Sequence, residues 1–121
     1  MREWQLFLFA CAVFVVSGVC GCRSAWVQAT VVNNENAPVN VVEVTYPGGT
    51  FGVQSIAAHG SFRYPFHILA NDVIRIDFND ATGHSHTEKG PALRQGDGGT
   101  LRIEIEPDGK VVWTPQLTSK K

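Results

Sequence analysis

Sulfur is almost missing from most of this 121-residue chain. Its three cysteines, Cys11, Cys20 and Cys22, all fall within the first 22 positions, and its single methionine is Met1. Beyond residue 22 there is neither thiol nor thioether, so a disulfide framework is excluded and so is a thiol nucleophile. A blue-copper centre, which needs a Cys thiolate beside two His, and a Met-rich copper(I) site go the same way. An excess of charge of one sign is missing too. The chain carries 10 basic and 11 acidic residues, a net charge of −1 and a pI near 6.4, without any Lys/Arg cluster. That balance excludes a nucleic-acid binder. No apolar run is long enough to span a bilayer as a helix, which takes ~20 residues; the longest covers only residues 6–16. Recognisable catalytic loops are absent as well. There is no G-x-S-x-G elbow, Gly96-Asp97-Gly98-Gly99 lacks the Lys and the following helix of a phosphate loop, and Asp72, Asp77, Asp80 and Asp97 do not follow a calcium-loop spacing. What remains, 44% hydrophobic and 17% charged, has the composition of one folded domain.

The apolar run at 6–16 follows Arg2, as the h-region of a signal peptide follows a basic n-region. After it stands Val19-Cys20-Gly21-Cys22, an aliphatic residue and a small residue ahead of a cysteine. Cys20 is the competing choice, but Val19 before it is bulkier than the small residue such a pattern wants. This motif resembles the lipobox of bacterial lipoprotein precursors. The resemblance covers residues 1–22 only and implies cleavage after Gly21, with Cys22 carrying a diacylglycerol on its sulfur and, in many bacteria, a further acyl chain (palmitate-type) on its amine. Two or more chains give stable anchoring where one gives marginal binding. The expected organisation is therefore a signal peptide over 1–21, a lipidated Cys22 with a tether over 22–25, a domain over 26–116 and a polar tail over 117–121. Arg23 stands where an Asp often marks inner-membrane retention in the resembling proteins. The implied location is the bacterial cell envelope, at the periplasmic face of the outer membrane where the host has one. The alternatives are an uncleaved membrane anchor and a protein cut after Ala25 and secreted without lipid.

From Trp26 onward, short alternating runs are separated by turn residues. Residues 101–106 place Leu101, Ile103 and Ile105 on one face and charge on the other. Residues 73–78 do the same with Ile74, Ile76 and Phe78. Phe62, Tyr64, Phe66 and Ile68 line a third strand, in which Pro65 lacks the donor of a central ladder and so predicts an edge or a bulge. Residues 26–32, residues 39–46 with Val42, Val44 and Tyr46 inward, and a weaker run at 50–56 complete the set. Pro107-Asp108-Gly109 predicts a three-residue hairpin loop that sets Glu106 against Lys110, Ile105 against Val111 and Ile103 against Trp113. Every pair in that register matches charge with charge or apolar with apolar. Seven or eight short strands of this kind predict an all-β fold, an antiparallel β-sandwich similar in general appearance to immunoglobulin-like or transthyretin-like sandwiches, with a small closed barrel as the alternative. The longest irregular stretch spans residues 90–100, with Leu93 as an apolar plug.

One cluster invites a chemical reading: Asp80-Ala81-Thr82-Gly83-His84-Ser85-His86, with Glu88 close by. His-x-His on a strand points both rings to one face, a common beginning of a zinc or copper site. His84 and His86 are the candidate metal ligands, with a third to come from Asp80, Glu88, His59 or His67. The competing reading is structural. A three-residue loop at Ala81-Thr82-Gly83 sets Asp80 against His84, Phe78 against His86, Asp77 against Thr87 and Arg75 against Lys89. It turns His86 toward the core and leaves His84 a cross-strand partner of Asp80. Ser85 cannot meet either histidine, because neighbouring strand residues point to opposite faces, so no catalytic triad forms there. The sequence thus leads to a lipid-anchored, non-enzymatic envelope module that binds a protein partner or serves as a structural accessory. Zinc or copper binding is the second hypothesis. A face carrying Arg63, His67, Arg75 and Asp77 is the expected contact surface.

Overall fold

The computed structural model describes residues 25–119, so the leader, Cys22 with most of its tether, and the two terminal lysines lie outside the described residues. Eight strands run through it: β1 (Val27–Asn33), β2 (Val39–Tyr46), β3 (Gly49–Ile56), β4 (Ser61–Phe66), β5 (Asp72–Asn79), β6 (Ser85–Leu93), β7 (Gly98–Ile105) and β8 (Val111–Thr118). They form two four-stranded sheets, ordered β4-β1-β7-β8 and β3-β2-β5-β6. Two separate sheets replace the single closed sheet that a barrel requires. The strand alternation read from the sequence is what builds the core between them. Val27, Ala29, Val31, Leu101, Ile103 and Ile105 from the first sheet join Val44, Phe51, Ile74, Ile76 and Phe78 from the second in one apolar cluster, a sandwich-like arrangement.

The expected antiparallel pairing needs a correction. β1 and β7 lie side by side in parallel, from Val27 opposite Gly99 to Asn33 opposite Ile105, so the first sheet is mixed. Turn residues report on strands joined by a short loop, and these two are not. The β7–β8 hairpin forms in the expected register, with Ile105 opposite Val111 and Ile103 opposite Trp113. Pro65 lies on β4, an edge strand, as its missing N–H demands. Pro115 on β8 and Pro91 on β6 occupy two further edges, so three of the four exposed ladders are interrupted by a residue that cannot extend them.

Three boundaries differ from expectation. In β2 the register slips between Asn40 and Glu43, and Val41 takes φ 50°, a left-handed conformation that strains a β-branched residue. This bulge lets both Val39 and Val42 point inward while Val41 faces solvent. The stretch expected to be irregular from 90 to 100 is mostly strand. β6 runs through Gly90 and Pro91 to Leu93, β7 starts at Gly98, and a short connection crosses between the sheets. Leu93 is the buried plug that was expected. At the C-terminal side, β8 continues to Thr118, two residues past the expected end of the domain.

Register also sorts the connections into two ends. β1 starts at one of them, here the proximal end, together with the Pro47-Gly48 turn, the β4–β5 connection and the β6–β7 connection. Backbone bonds tie these together: Leu69 N–H donates to Pro47 O at 3.0 Å and Gly99 N–H to Trp26 O at 2.9 Å. The opposite, distal end holds the β1–β2 and β3–β4 connections and the two tight hairpin turns, at Asp80–His84 and Glu106–Lys110.

Candidate functional site at the distal end

The β5–β6 turn closes as the sequence predicts. Asp80 N–H donates to His84 O at 2.9 Å and Gly83 N–H to Asp80 O at 3.0 Å, with Gly83 at φ 88°. A positive φ is cheap only for glycine, which is why the loop ends there. Phe78 stands opposite His86, Asp77 opposite Thr87 and Arg75 opposite Lys89. The like-charged last pair is relieved sideways, because Arg75 Nε lies 3.3 Å from Asp77 Oδ2.

Asp80 is the hub of the turn. Its Oδ1 accepts Thr82 N–H at 2.9 Å, the Thr82 hydroxyl at 2.7 Å and His84 N–H at 3.0 Å. Its Oδ2 accepts His86 Nε2–H at 2.8 Å. The Thr82 hydroxyl, then the His86 imidazole and the amides of His84 and Thr82, hold the Asp80 carboxyl well below the usual carboxylate range, against a smaller opposing effect of desolvation. The expected pairing of Asp80 with His84 forms, through the His84 backbone and with Nδ1 4.0 Å from Oδ1, and a closer side-chain partner, His86, comes from two residues further along. His84 Nδ1 lies 2.6 Å from Thr82 Oγ1. The Thr82 hydroxyl has one proton, and it is spent on Asp80, so His84 donates and Thr82 accepts.

His86 is held on three sides. Its ring stacks on Phe78 with centroids 4.9 Å apart and planes 9° from parallel. Gly109, in the β7–β8 turn, lies so close that a Cβ there would sit 2.7 Å from His86 Cε1. One ring nitrogen is bound to Asp80 and the ring edge is covered by a turn of the other sheet. His84, by contrast, is 80% exposed.

Of the candidate third ligands, the structure brings only Asp80 to the two histidines. His59 bonds Asn36 Oδ1 at 2.9 Å in the β3–β4 turn. His67 packs against Trp26 at the proximal end, its ring tilted 36° to the indole. Glu88 stands opposite Ile76, further down β6. Among the described residues no group of three or more His, Cys, Asp or Glu is disposed to hold a metal ion. A zinc or copper ion bound through His86 Nε2 would take that nitrogen from Asp80. Ser85 donates to Asn79 Oδ1 at 3.0 Å, away from both histidines. The contact surface expected from Arg63, His67, Arg75 and Asp77 does not form. Arg63 is on β4 in the first sheet, whereas Arg75 and Asp77 are on β5 in the second.

Two residues of this end gave no sign in the sequence. Glu35, on the β1–β2 connection, comes near enough to feel both Asp80 and His86. Burial and then the Asp80 charge push its carboxyl above the usual range, partly offset by His86, and its buried Oε2 has no hydrogen-bond partner among the described residues. Asn33, fully buried, fastens the connection. Its Nδ2 donates to Ala37 O at 2.9 Å, Ile56 O at 3.1 Å and Ala57 O at 3.2 Å, and its Oδ1 accepts Glu35 N–H at 2.9 Å. Asn34 Nδ2 adds a bond to Glu106 Oε2 at 2.7 Å. The distal end is thus a braced surface of carboxylates and imidazoles, fixed by hydrogen bonds among three connections. Such a surface can present charge to a partner.

No family model matches the chain, and no curated protein matches it either. Among solved structures, an NMR structure of a protein from Eubacterium rectale is similar, with a TM-score of 0.52 and 15% identity over 78% of this chain and 90% of that one. At that identity the likeness speaks to the fold alone.

Proposed function

We propose that this chain is a lipoprotein of the bacterial envelope, anchored through Cys22, whose sandwich domain acts by binding a protein partner or as a structural accessory rather than by catalysis. The observation that carries the reading is Val19-Cys20-Gly21-Cys22 after an apolar run, followed within five residues by the first strand. So short a tether leaves the domain on the membrane surface, at the periplasmic face of the outer membrane where one exists. The braced distal end is then the surface most open to an envelope partner.

The strand order favours the transthyretin-like of the two resembling sandwiches. An immunoglobulin constant-type fold puts its first two strands in one sheet, whereas β1 and β2 here belong to different sheets. The test of anchoring is metabolic labelling with palmitate and fractionation of full-length protein expressed in a bacterium. The expected result is a labelled protein in the membrane fraction, with label and attachment both lost in Cys22→Ala. Attachment that survives Cys22→Ala overturns the reading.

A further inference from the structure

Leu69 and Trp26, 58% and 56% exposed, are the most exposed large hydrophobic residues among the described residues. Both stand at the proximal end, where the tether from Cys22 arrives, and Val73, 42% exposed, is at the start of β5 at that same end. None of them is loosely held. Trp26 packs on the His67 ring with centroids 3.6 Å apart, and His67 Nδ1 bonds Ala25 O. Ile68, buried in the core, pins the connection that carries Leu69. Leu69 itself is fixed by its bond to Pro47 O and lies over Gly48, where a Cβ would come within 2.6 Å of the Leu69 Cβ. Apolar groups held outward in fixed positions at one end of a fold are suited to a contact with an apolar partner.

We propose that this rim seats in the headgroup region of a lipid bilayer, with Trp26 and Leu69 inserted, so that the anchor sets the orientation of the domain as well as its location. The proposal rests on the lipoprotein reading for the position of the membrane. Trp26 stands four positions after Cys22, and a fully extended chain spans at most ~3.6 Å per residue, so Trp26 stays within about 14 Å of the acylated sulfur's backbone. Trp is the side chain that prefers this depth, its ring among acyl chains and its N–H among headgroups. Next to the rim, a cleft of about 310 Å³ is lined by Gly48, Asp72, Val73, Arg75 and Lys89 among others. Of its two cations, Arg75 is already paired with Asp77, and Lys89 is the one offered to a lipid phosphate, with Asp72 on the same lining.

The experiment uses full-length protein, purified in detergent after expression in a bacterium. It is reconstituted into vesicles of phosphatidylethanolamine and phosphatidylglycerol whose acyl chains carry bromine, a quencher of indole emission. Trp26→Phe defines the share of emission due to Trp26, and both this change and Leu69→Ser lie on the surface and leave the core intact. The expected result is strong quenching of the Trp26 share, reduced several-fold in Leu69→Ser. Labelled, membrane-bound protein whose Trp26 emission is unquenched overturns the proposal while anchoring stands. Unlabelled protein whose Trp26 is still quenched when vesicles are added overturns the anchor and supports the docking rim. Unlabelled and unquenched protein overturns both.

Discussion

The imidazole of His86 reaches back across the β5–β6 turn to the carboxylate of Asp80, Nε2 to Oδ2 at 2.8 Å, while its ring lies flat on Phe78. One side chain thus joins the apolar core to the polar brace of the distal end, and the consequences can be measured at each of its neighbours.

Asp80 gives the protein an acid-sensitive element. Hydrogen bonds to the charged form depress its folded-state pKa below the ordinary aspartate value of about 3.9. The resulting stabilisation is complete above the unfolded value and is lost as pH falls through the folded one. Melting curves between about pH 7 and pH 2 are expected to show Tm falling below roughly pH 4. Asp80→Asn is expected to melt lower at neutral pH and to lose the steep part of that fall. Parallel curves for the two proteins would assign the acid limb to other groups.

Glu35 acts with the opposite sign. Burial and the neighbouring Asp80 raise its folded-state pKa, so its ionisation at neutral pH works against the fold and its protonation relieves this. Glu35→Gln is expected to raise Tm near neutral pH, with the advantage shrinking as the solution is acidified and Glu35 takes up its proton. An advantage that is constant with pH would show that charge is not its cause.

Two glycines with similar backbone offer a matched pair. Gly83 at φ 88° has open space around it, whereas Gly109 at φ 82° faces His86. Alanine at Gly83 is expected to cost only the left-handed backbone penalty, about 1–2 kcal/mol. Gly109→Ala adds an overpacking cost of about 1–3 kcal/mol, and that addition is expected to vanish in a His86→Ala background. Denaturant unfolding of the four variants measures the coupling.

Asn33 is expected to be the least replaceable polar residue of the distal end. Asn33→Ala strips donors from three backbone carbonyls and an acceptor from the Glu35 amide. The expected loss is about 2–3 kcal/mol. Asn33→Asp is the more severe change at neutral pH, since it sets a buried carboxylate against those same carbonyl oxygens. An aspartate variant as stable as wild type would mean that this connection rearranges to supply new donors.

The parts of the fold that were legible in the sequence share a cause. Pro107-Asp108-Gly109 and Ala81-Thr82-Gly83 fix their registers through local turn chemistry, and that was enough to place Phe78 opposite His86. Alternation found Ile74, Ile76 and Phe78, and Pro65 declared an edge. What stayed hidden depends on distance along the chain. The bulge at Val41 breaks the alternation without a glycine to mark it. Gly90-Pro91 reads as a turn, yet it continues β6, because Gly90 makes room for Trp113, whose ring would lie 2.6 Å from a Cβ there. Grouping Arg63 with Arg75 failed because alternation gives the face of a strand but not the sheet to which it belongs. Glu35 and Asn33 matter only through residues brought to them by the fold, and nothing beside them in the sequence announces it.

The parallel pair of β1 and β7 has a consequence in time. Val27 lies opposite Gly99, far along the chain, and the first sheet has no centre until that partner arrives. A chain passed through a membrane channel from its N-terminal side brings out β1 early and β7 nearly last. Contacts so far apart close slowly. The strands that emerge first therefore cannot close the first sheet until almost the whole chain has emerged. Under the proposed envelope location, late closure of this kind is a delay that keeps the domain open until its chain has been delivered.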